Sequence, residues 1–400
     1  MARQPFSIMC LSSQEWSVDL PTNRQQIMLR AARRGHEVLF VEGGHFTLKY
    51  VHPLVKGNGS RSRGARRSLA SRIFATEQAA QRIRVRKDLN VLPFGTRFET
   101  VGRANARITA PLLERIAQQL PRPLVLWAYH PGFVNLLGQC GEAFAVYDCV
   151  DDYAEQTRDD PRRHTLFRKQ DERVGRASRL VFATTTPLFE RHSSWNPRTH
   201  LVPNTGDFGH FASAVDRAQI AEELTGLSRP VIGFAGNLLE SKVDLDLVQT
   251  VAARRPDWTI LLIGPAEPAL ERRLRQPMGS TNVRWIGARP YAQLPRFIAA
   301  FDVGVIPYAS NAYTRSCFPL KLYEYLAAGK AVVATGLPEL SGREPDVVVA
   351  DSVDGFVAAV ERALTDSAER AVRRRQAIAA TNTWETRAGR LLELVEEQLE

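Results

Sequence analysis

The chain has 400 residues, 44% of them hydrophobic, and its 53 Lys and Arg against 43 Asp and Glu give a formal charge of +10. That length and apolar content suit two or three domains with full-sized cores. No apolar run approaches the ~18 residues of a membrane span, and four cysteines without C-x-x-C spacing suggest neither a disulfide framework nor a zinc site.

In chain order, the N-terminus MARQPFSIMCLSSQ lacks the cationic-then-apolar plan of a signal peptide, so a cytoplasmic location is expected. Phe6–Leu11 reads as a strand, Thr22–Arg34 as a helix closed by Gly35, and Val38–Val41 as a second strand. The loop between them, Ser12 to Ser17, carries Trp16, exposed by position and able to stack on a sugar ring or pack against a lid. Asn23 and Arg24 open the helix. Arg24 is a candidate acceptor or phosphate contact, against the plainer reading of a solvated arginine. From Lys56 to Lys87 there are ten Lys or Arg and one acid, Glu77, so nearly all the excess charge is in one segment. Its glycines suggest a loop, and Leu69, Ile73 and Phe74 suggest a helix with a small apolar edge. That is the pattern of a peripheral contact with an anionic membrane, with a solvated loop as the alternative.

Further strands are expected at Leu124–Trp127, Ala143–Tyr147, Leu180–Ala183 and His200–Val202. The first of these runs into Tyr129-His130-Pro131. The second runs into Asp148-Cys149-Val150-Asp151-Asp152, where carboxylates could orient a hydroxyl, hold Mg²⁺ or cap a helix. In the second half the strands are Val231–Ala235, Thr259–Ile263, Val283–Ile286, Val303–Ile306 and Ala331–Ala334. Continuous apolar runs separated by helices indicate parallel sheets covered on both faces, twice over. The expected division is residues 1–205, residues 206–383, and a helix over 384–400 returning to the first domain.

Two places in the second half read as phosphate chemistry. After Val231–Ala235 comes Gly236, Asn237, then Lys242 just ahead of a helix; a glycine turn lets backbone approach a phosphate and the lysine adds charge. In SCFPLKLYEYLAAGKAVVATGLPEL (316–340), a helix opening at Pro319 and stopping at Gly329 presents its first amides beside Ser316, Phe318 and Leu320. Lys321 lies in its first turn. Glu324, one turn in, can accept two vicinal hydroxyls such as those of a ribose. The bland alternative is an ordinary strand–helix–strand unit with a solvated glutamate.

Phe318, Glu324, Ala327–Gly329, Val332–Val333 and Pro338–Glu339 resemble the donor-site motif of retaining GT-B glycosyltransferases of family 4. The Pro319, Lys321, Tyr323–Glu324 variant is most similar to the bacterial cell-surface polysaccharide branch, including teichuronic-acid-type enzymes. The resemblance implies two Rossmann-like domains facing across a cleft and a hexosyl transfer from a UDP- or GDP-sugar to a lipid-linked or polysaccharide acceptor. It implies retention and no metal or other cofactor. Glu324 would bind ribose, and Lys242, with Lys321, would meet the departing diphosphate. His130 would stand near the reacting sugar, and Asp151 with Trp16 and Arg24 would serve the acceptor side. The loops at Gly264 and at Gly287 with Arg289 would flank the nucleobase. Several positions depart from the family: Ser316 stands where a sugar-binding glutamate is usual, Asn237 where an arginine is and Val243 where a glycine is, and the glycine pair common after the first strand is absent. Ser316 and Asn237 keep open a non-catalytic binding subunit, and a second rival of the same fold is a non-hydrolysing sugar epimerase, which would need an internal acid–base pair and no second substrate. No aromatic-basic motif supports a nucleic-acid partner.

Overall fold

Buried apolar strands assemble into two separate sheets, each within its own unit of the chain. The computed structural model describes residues 5–18, 20–43, 76–87, 92–276 and 281–400. The first unit comprises residues 1–184, 188–202 and 388–400, and the second residues 185–187 and 203–387.

The first unit holds β1 (Ser7–Ser12), β2 (Glu37–Glu42), β3 (Glu77–Ala80), β4 (Ile83–Lys87), β5 (Leu124–Ala128), β6 (Phe144–Cys149), β7 (Leu180–Ala183) and β8 (Thr199–Leu201). Their order across the sheet is β3-β4-β2-β1-β5-β6-β7-β8. All neighbours are parallel except β3 with β4. Every residue of β1 and β5 is buried, as a parallel strand covered on both faces requires. Met9, Leu39, Leu113, Leu126, Val174 and Val181 belong to one core beneath helices Glu99–Ala117 and Pro161–Ala177. The last helix, Trp384–Glu396, contributes Leu391, Leu392 and Val395 to buried positions, and Glu396 lies 3.9 Å from His36.

The basic segment is not one uniform piece. Its end is strand β4, paired to β2 with Val41 opposite Arg86, and Arg86 is only 2% exposed. Two of the expected surface cations, Arg84 and Arg86, are therefore part of the sheet. Residues 44–75, including Leu69, Ile73 and Phe74, lie outside the described residues. Among the described residues no helix is long and apolar enough to cross a membrane.

The second unit holds β9 (Val231–Ala235), β10 (Thr259–Ile263), β11 (Val283–Trp285), β12 (Val303–Ile306), β13 (Ala331–Thr335) and β14 (Val347–Ala350), in the order β11-β10-β9-β12-β13-β14. All pairs are parallel. β14 follows Leu340 and was not among the expected strands. Helix Lys321–Ala327 leads into β13 and is stopped by Gly329 at φ +70, a conformation that favours glycine. Its far end is anchored by the helix Glu369–Thr381: Gln376 donates to the Ala327 carbonyl at 3.0 Å and Arg375 to the Gly329 carbonyl at 3.3 Å. Arg375 is itself buried against Asp346 (3.0 Å) and Asp366 (2.6 Å).

Arg374 also pairs with Asp346 (2.7 Å) and Asp366 (3.1 Å), so losing Arg375 leaves those acids partly compensated and instead orphans the buried Gly329 carbonyl, a cost on the order of 1–3 kcal/mol. Arg375→Ala is therefore expected to lower the urea midpoint by an amount equivalent to about 1–3 kcal/mol. An unchanged midpoint would show that this anchor contributes nothing to stability.

Candidate functional site

Each sheet reverses its strand order at one strand. β1 lies between β2 and β5, and β9 between β10 and β12. Loops leaving the carboxyl ends of strands at such a point form the usual ligand crevice of an open α/β sheet.

In the second unit, β9 passes directly into Gly236 at φ +158. A Cβ there would stand 2.0 Å from Lys321 Cε and 2.4 Å from its Nζ, so the lysine side chain lies where any other residue would have its own. The same ammonium is 5.4 Å from the Phe234 ring. Gly264, ending β10, is equally constrained, since its Cβ would meet the Gly236 carbonyl at 2.0 Å. Its N–H donates to the Gly287 carbonyl at 2.8 Å. Three strand ends thus meet backbone to backbone. Arg289 does not join them as a ligand group: its guanidinium pairs with Glu223 (3.0 Å) and donates to the Ile286 and Ala288 carbonyls, pinning its own loop.

Lys242 lies in the loop ahead of helix Leu245–Arg254, whose N-cap is Asp244. Its carbonyl accepts from Ala309 N–H (2.7 Å), and Asn311 donates to the Ser241 carbonyl (2.9 Å). These bonds tie the loop after β9 to the loop after β12. The Lys242 ammonium sits 5.0 Å over the Tyr313 ring, while Asn237 is exposed.

Helix Lys321–Ala327 is shorter than the span from Pro319 that the sequence suggested. Pro319 and Leu320 instead supply the first acceptor carbonyls, to Leu322 and Tyr323 at 3.2 Å each. Seven residues make a small dipole, so positive charge here comes mainly from Lys321 and Lys242. Phe318 is buried, stacked on Tyr323 (6.0 Å, 16°), and its carbonyl accepts from Asn204 at 3.0 Å. Ser316 is buried as well. Any ligand contact of Phe318 would therefore be through backbone. Glu324 is half-buried beside Lys321 and Asp207. Burial pushes its carboxyl up to about 7, Lys321 pulls the other way, and Asp207 adds to the rise.

In the first unit, Arg24 is buried and donates to the Tyr153 hydroxyl at 2.6 Å, with its guanidinium 5.4 Å from the Tyr129 ring centre. The solvated reading of this arginine is thus wrong. Asp151 is close enough to both Arg24 and Tyr153 to influence their ionisation. Trp16 is half-buried rather than exposed, its ring set edge-on against Phe40 at 5.1 Å and its backbone N–H donating to the Glu42 carboxylate at 2.6 Å. His130 accepts from Gly132 N–H on Nδ1 (3.0 Å), which puts its proton on Nε2. Burial lowers its pKa to about 3, with Arg24 and Arg163 adding to the fall. This imidazole is neutral: it can donate a hydrogen bond, but it cannot share the positive charge of a reacting centre.

Asp152 does not form an Asp-x-Asp type of site. It is buried against Arg191 (2.5 Å) and Arg168 (3.3 Å) and accepts the Glu155 N–H (3.2 Å), which is capping and charge pairing. Among the described residues, one set of groups has metal-ligand spacing, Cys149, Asp171 and His192, all buried. Its carboxylate is already engaged by the Tyr147 hydroxyl (2.8 Å), His192 (3.4 Å) and Arg191 (3.5 Å).

Comparison with known proteins bears on this arrangement. Residues 229–366 match the family model described as glycosyl transferases group 1, and that span holds Gly236, Lys242, Lys321 and Glu324. TuaH of Bacillus subtilis (strain 168), a glycosyltransferase assigned by name to teichuronic acid biosynthesis, is 28% identical over 295 residues, covering 69% of this chain and 73% of that protein. Sucrose-phosphate synthase from Thermosynechococcus elongatus superposes with a TM-score of 0.73 at 15% identity, over 98% of this chain and 99% of the other. Anabaena HepE in complex with UDP gives 0.67 at 15%, over 98% and 100%. The chain is a glycosyltransferase of GT-B fold.

Three polar groups of this glycosyltransferase that the sequence did not single out are Tyr153, Arg163 and Asp207. Each sits in a polar stretch with no periodicity or spacing to mark it, and only the fold brings Asp207 to Glu324 or Tyr153 to Arg24. The raised carboxyl of Glu324 makes a direct prediction. An acid whose folded pKa lies above its unfolded value costs stability as pH rises from about 4.5 to about 7. Glu324→Gln should therefore be more stable than wild type at pH 8, by on the order of 1–3 kcal/mol, and equal to it near pH 4.5. Equal denaturant midpoints at both pH values would mean that the carboxylate is well solvated.

Proposed function

We propose that this glycosyltransferase moves a hexosyl unit from a UDP- or GDP-linked sugar to a lipid-linked or polysaccharide acceptor, with retention and without a metal. The observation that carries this reading is the placing of Lys321 across Gly236, one helical turn from Glu324 and beside the loop of Lys242. A cation beside a side-chain-free strand end suits a diphosphate, and an adjacent carboxylate suits vicinal hydroxyls. Anabaena HepE, whose structure contains UDP, supports a nucleotide-sugar donor, and the name of TuaH supports an envelope polysaccharide as product.

In this reading Glu324 holds the ribose as a carboxylate, and the two lysines stabilise the charge that develops on the leaving diphosphate. The leaving phosphate takes the acceptor hydroxyl proton on the same face, so no enzymic base is needed and retention follows. A neutral His130 contributes one hydrogen-bond donor, Nε2–H, rather than charge.

UDP or GDP should raise the melting temperature by mass action, and Glu324→Ala should abolish the shift while leaving the protein folded. Undiminished nucleotide binding by that variant would remove the ribose assignment. Lys242→Ala should lower kcat roughly a hundredfold with a smaller change in donor affinity. Activity should survive EDTA; strict dependence on added Mg²⁺ would overturn the metal-free reading. Product formed with no acceptor present would favour an epimerase.

The basic segment also supports a place for the enzyme at the inner face of the cell membrane, because each cation near an anionic leaflet contributes about 1 kcal/mol. Exposed Phe94, Phe98 and Ile108, with Arg107 beside the last, add apolar side chains to the same unit. Co-sedimentation with anionic vesicles should be salt-reversible and should fall sharply when Arg61, Arg63, Arg66 and Arg67 become glutamate. Equal binding to neutral vesicles would show that charge is not the attraction.

A further inference from the structure

His130 stands between two aromatic rings, each associated with an arginine. The Tyr153 ring is 4.5 Å from the imidazole and its hydroxyl accepts from Arg24. The Phe167 ring is 5.0 Å away on another side and lies 5.5 Å from the guanidinium carbon of Arg163. Two guanidinium groups therefore converge on one histidine, each one ring away. The Nε–H of Arg24 and the Nε–H of Arg163 are both buried without an acceptor. A buried charged donor left unsatisfied is costly, and native structures rarely keep one without a ligand, ion or water to receive it.

The neighbouring acids do not settle that charge. Asp152 is taken by Arg168 and Arg191, and Asp171 by Tyr147, His192 and Arg191. Asp151 is near enough to Arg24 and Tyr153 to influence both. On the same side as the His130–Gly132 turn, Gln170 is buried and its amide oxygen has no partner, which suits a sugar hydroxyl. Cations, a neutral N–H donor and a hydroxyl acceptor together describe a site for a sugar that carries an acidic group.

We propose that Arg24 and Arg163, with the Nε2–H of His130, form an anion subsite that receives an acidic group of the acceptor, either a diphosphate or a carboxylate. The inference rests on the glycosyltransferase reading and deepens it by giving the acceptor a charge. A neutral glycan end could accept from the two free Nε–H groups but would leave the guanidinium charges unbalanced, whereas a sugar diphosphate or a uronic acid would meet both needs by charge-assisted hydrogen bonds. Arg24, Arg163 and Gln170 would position the acceptor and His130 would contact it.

The test follows the imidazole of His130 by NMR in the full-length protein with labelled histidine, the signal being assigned with His130→Asn. UDP is present at saturation so that the donor phosphates are occupied. Inorganic pyrophosphate, glucuronate, glucose and sodium chloride are titrated separately. Saturable shifts with pyrophosphate or glucuronate, and none with glucose or chloride, are expected, and the tighter of the two anions identifies the acidic group. Arg163→Gln, at a half-buried position with little risk to folding, should weaken the anion roughly tenfold or more. Arg24→Gln should do the same, with circular dichroism confirming its fold. The proposal is overturned if neither anion moves the signal, if chloride moves it equally, or if Arg163→Gln binds as wild type. A failure of UDP itself to bind would count against the donor reading alone, and the anion titration without UDP would still decide the subsite.

Discussion

Lys321 can cross the carboxyl end of β9 only because residue 236 has no side chain. Much of the second unit follows from that contact. The glycine must be followed closely by Gly264, whose own Cβ would collide with the Gly236 carbonyl, so β9 and β10 approach each other without side chains between them. The lysine in turn fixes the rotation of its helix, and Glu324, three residues on, comes to the same side of it. A cation then faces a carboxyl that burial has pushed up to about 7, and neither group is far from the reversal point of the sheet. Arg375 and Gln376 hold the other end of the helix, so its position does not depend on the ligand.

The first unit solves a different electrostatic problem. Beyond the end of β6, Asp152 and Asp171 are buried, and Arg168, Arg191, His192 and Tyr147 are arranged to meet them. Burial favours protonation of Asp171, yet its hydrogen bonds and the charge of Arg191 hold its carboxyl below the ordinary value. Such pairs are weak sources of net stability but strongly resist loss of one partner. They keep the polypeptide after β6 in one path, and that path delivers Tyr153 to Arg24 and to the ring of His130.

The two units also place charge differently. In the second, the lysines Lys242 and Lys321 are half-buried on loop and helix start, where an ammonium can follow a moving phosphate. In the first, Arg24 is fixed by a hydroxyl and an aromatic face, a rigid fork suited to a group that must be oriented. The difference fits the proposed roles, a donor whose bond breaks and an acceptor that has only to be held.

Continuous apolar runs, glycine stops and helix-start signals carry local information, and local sequence determined most of the parallel strands, the doubling of the plan and the motif from Ser316 to Leu340. Gly236, Lys242, Lys321 and Glu324 were legible for the same reason, since each belongs to a strand-end or helix-start pattern. What pairs with what was not. Arg289 read as a ligand group until the fold supplied Glu223, Asp152 read as a cap, a hydroxyl contact or a metal ligand until the fold added two arginines to its capping role, and Trp16 read as exposed until Phe40 lay against it. Strand β4 was hidden because its arginines break the apolar pattern, although burial of Arg86 is possible once a sheet surrounds it. Sequence by itself determined the elements and the backbone positions that must be glycine; only tertiary structure decided which charges are spent on each other and which remain for a ligand, because desolvation and pairing depend on neighbours distant in the chain.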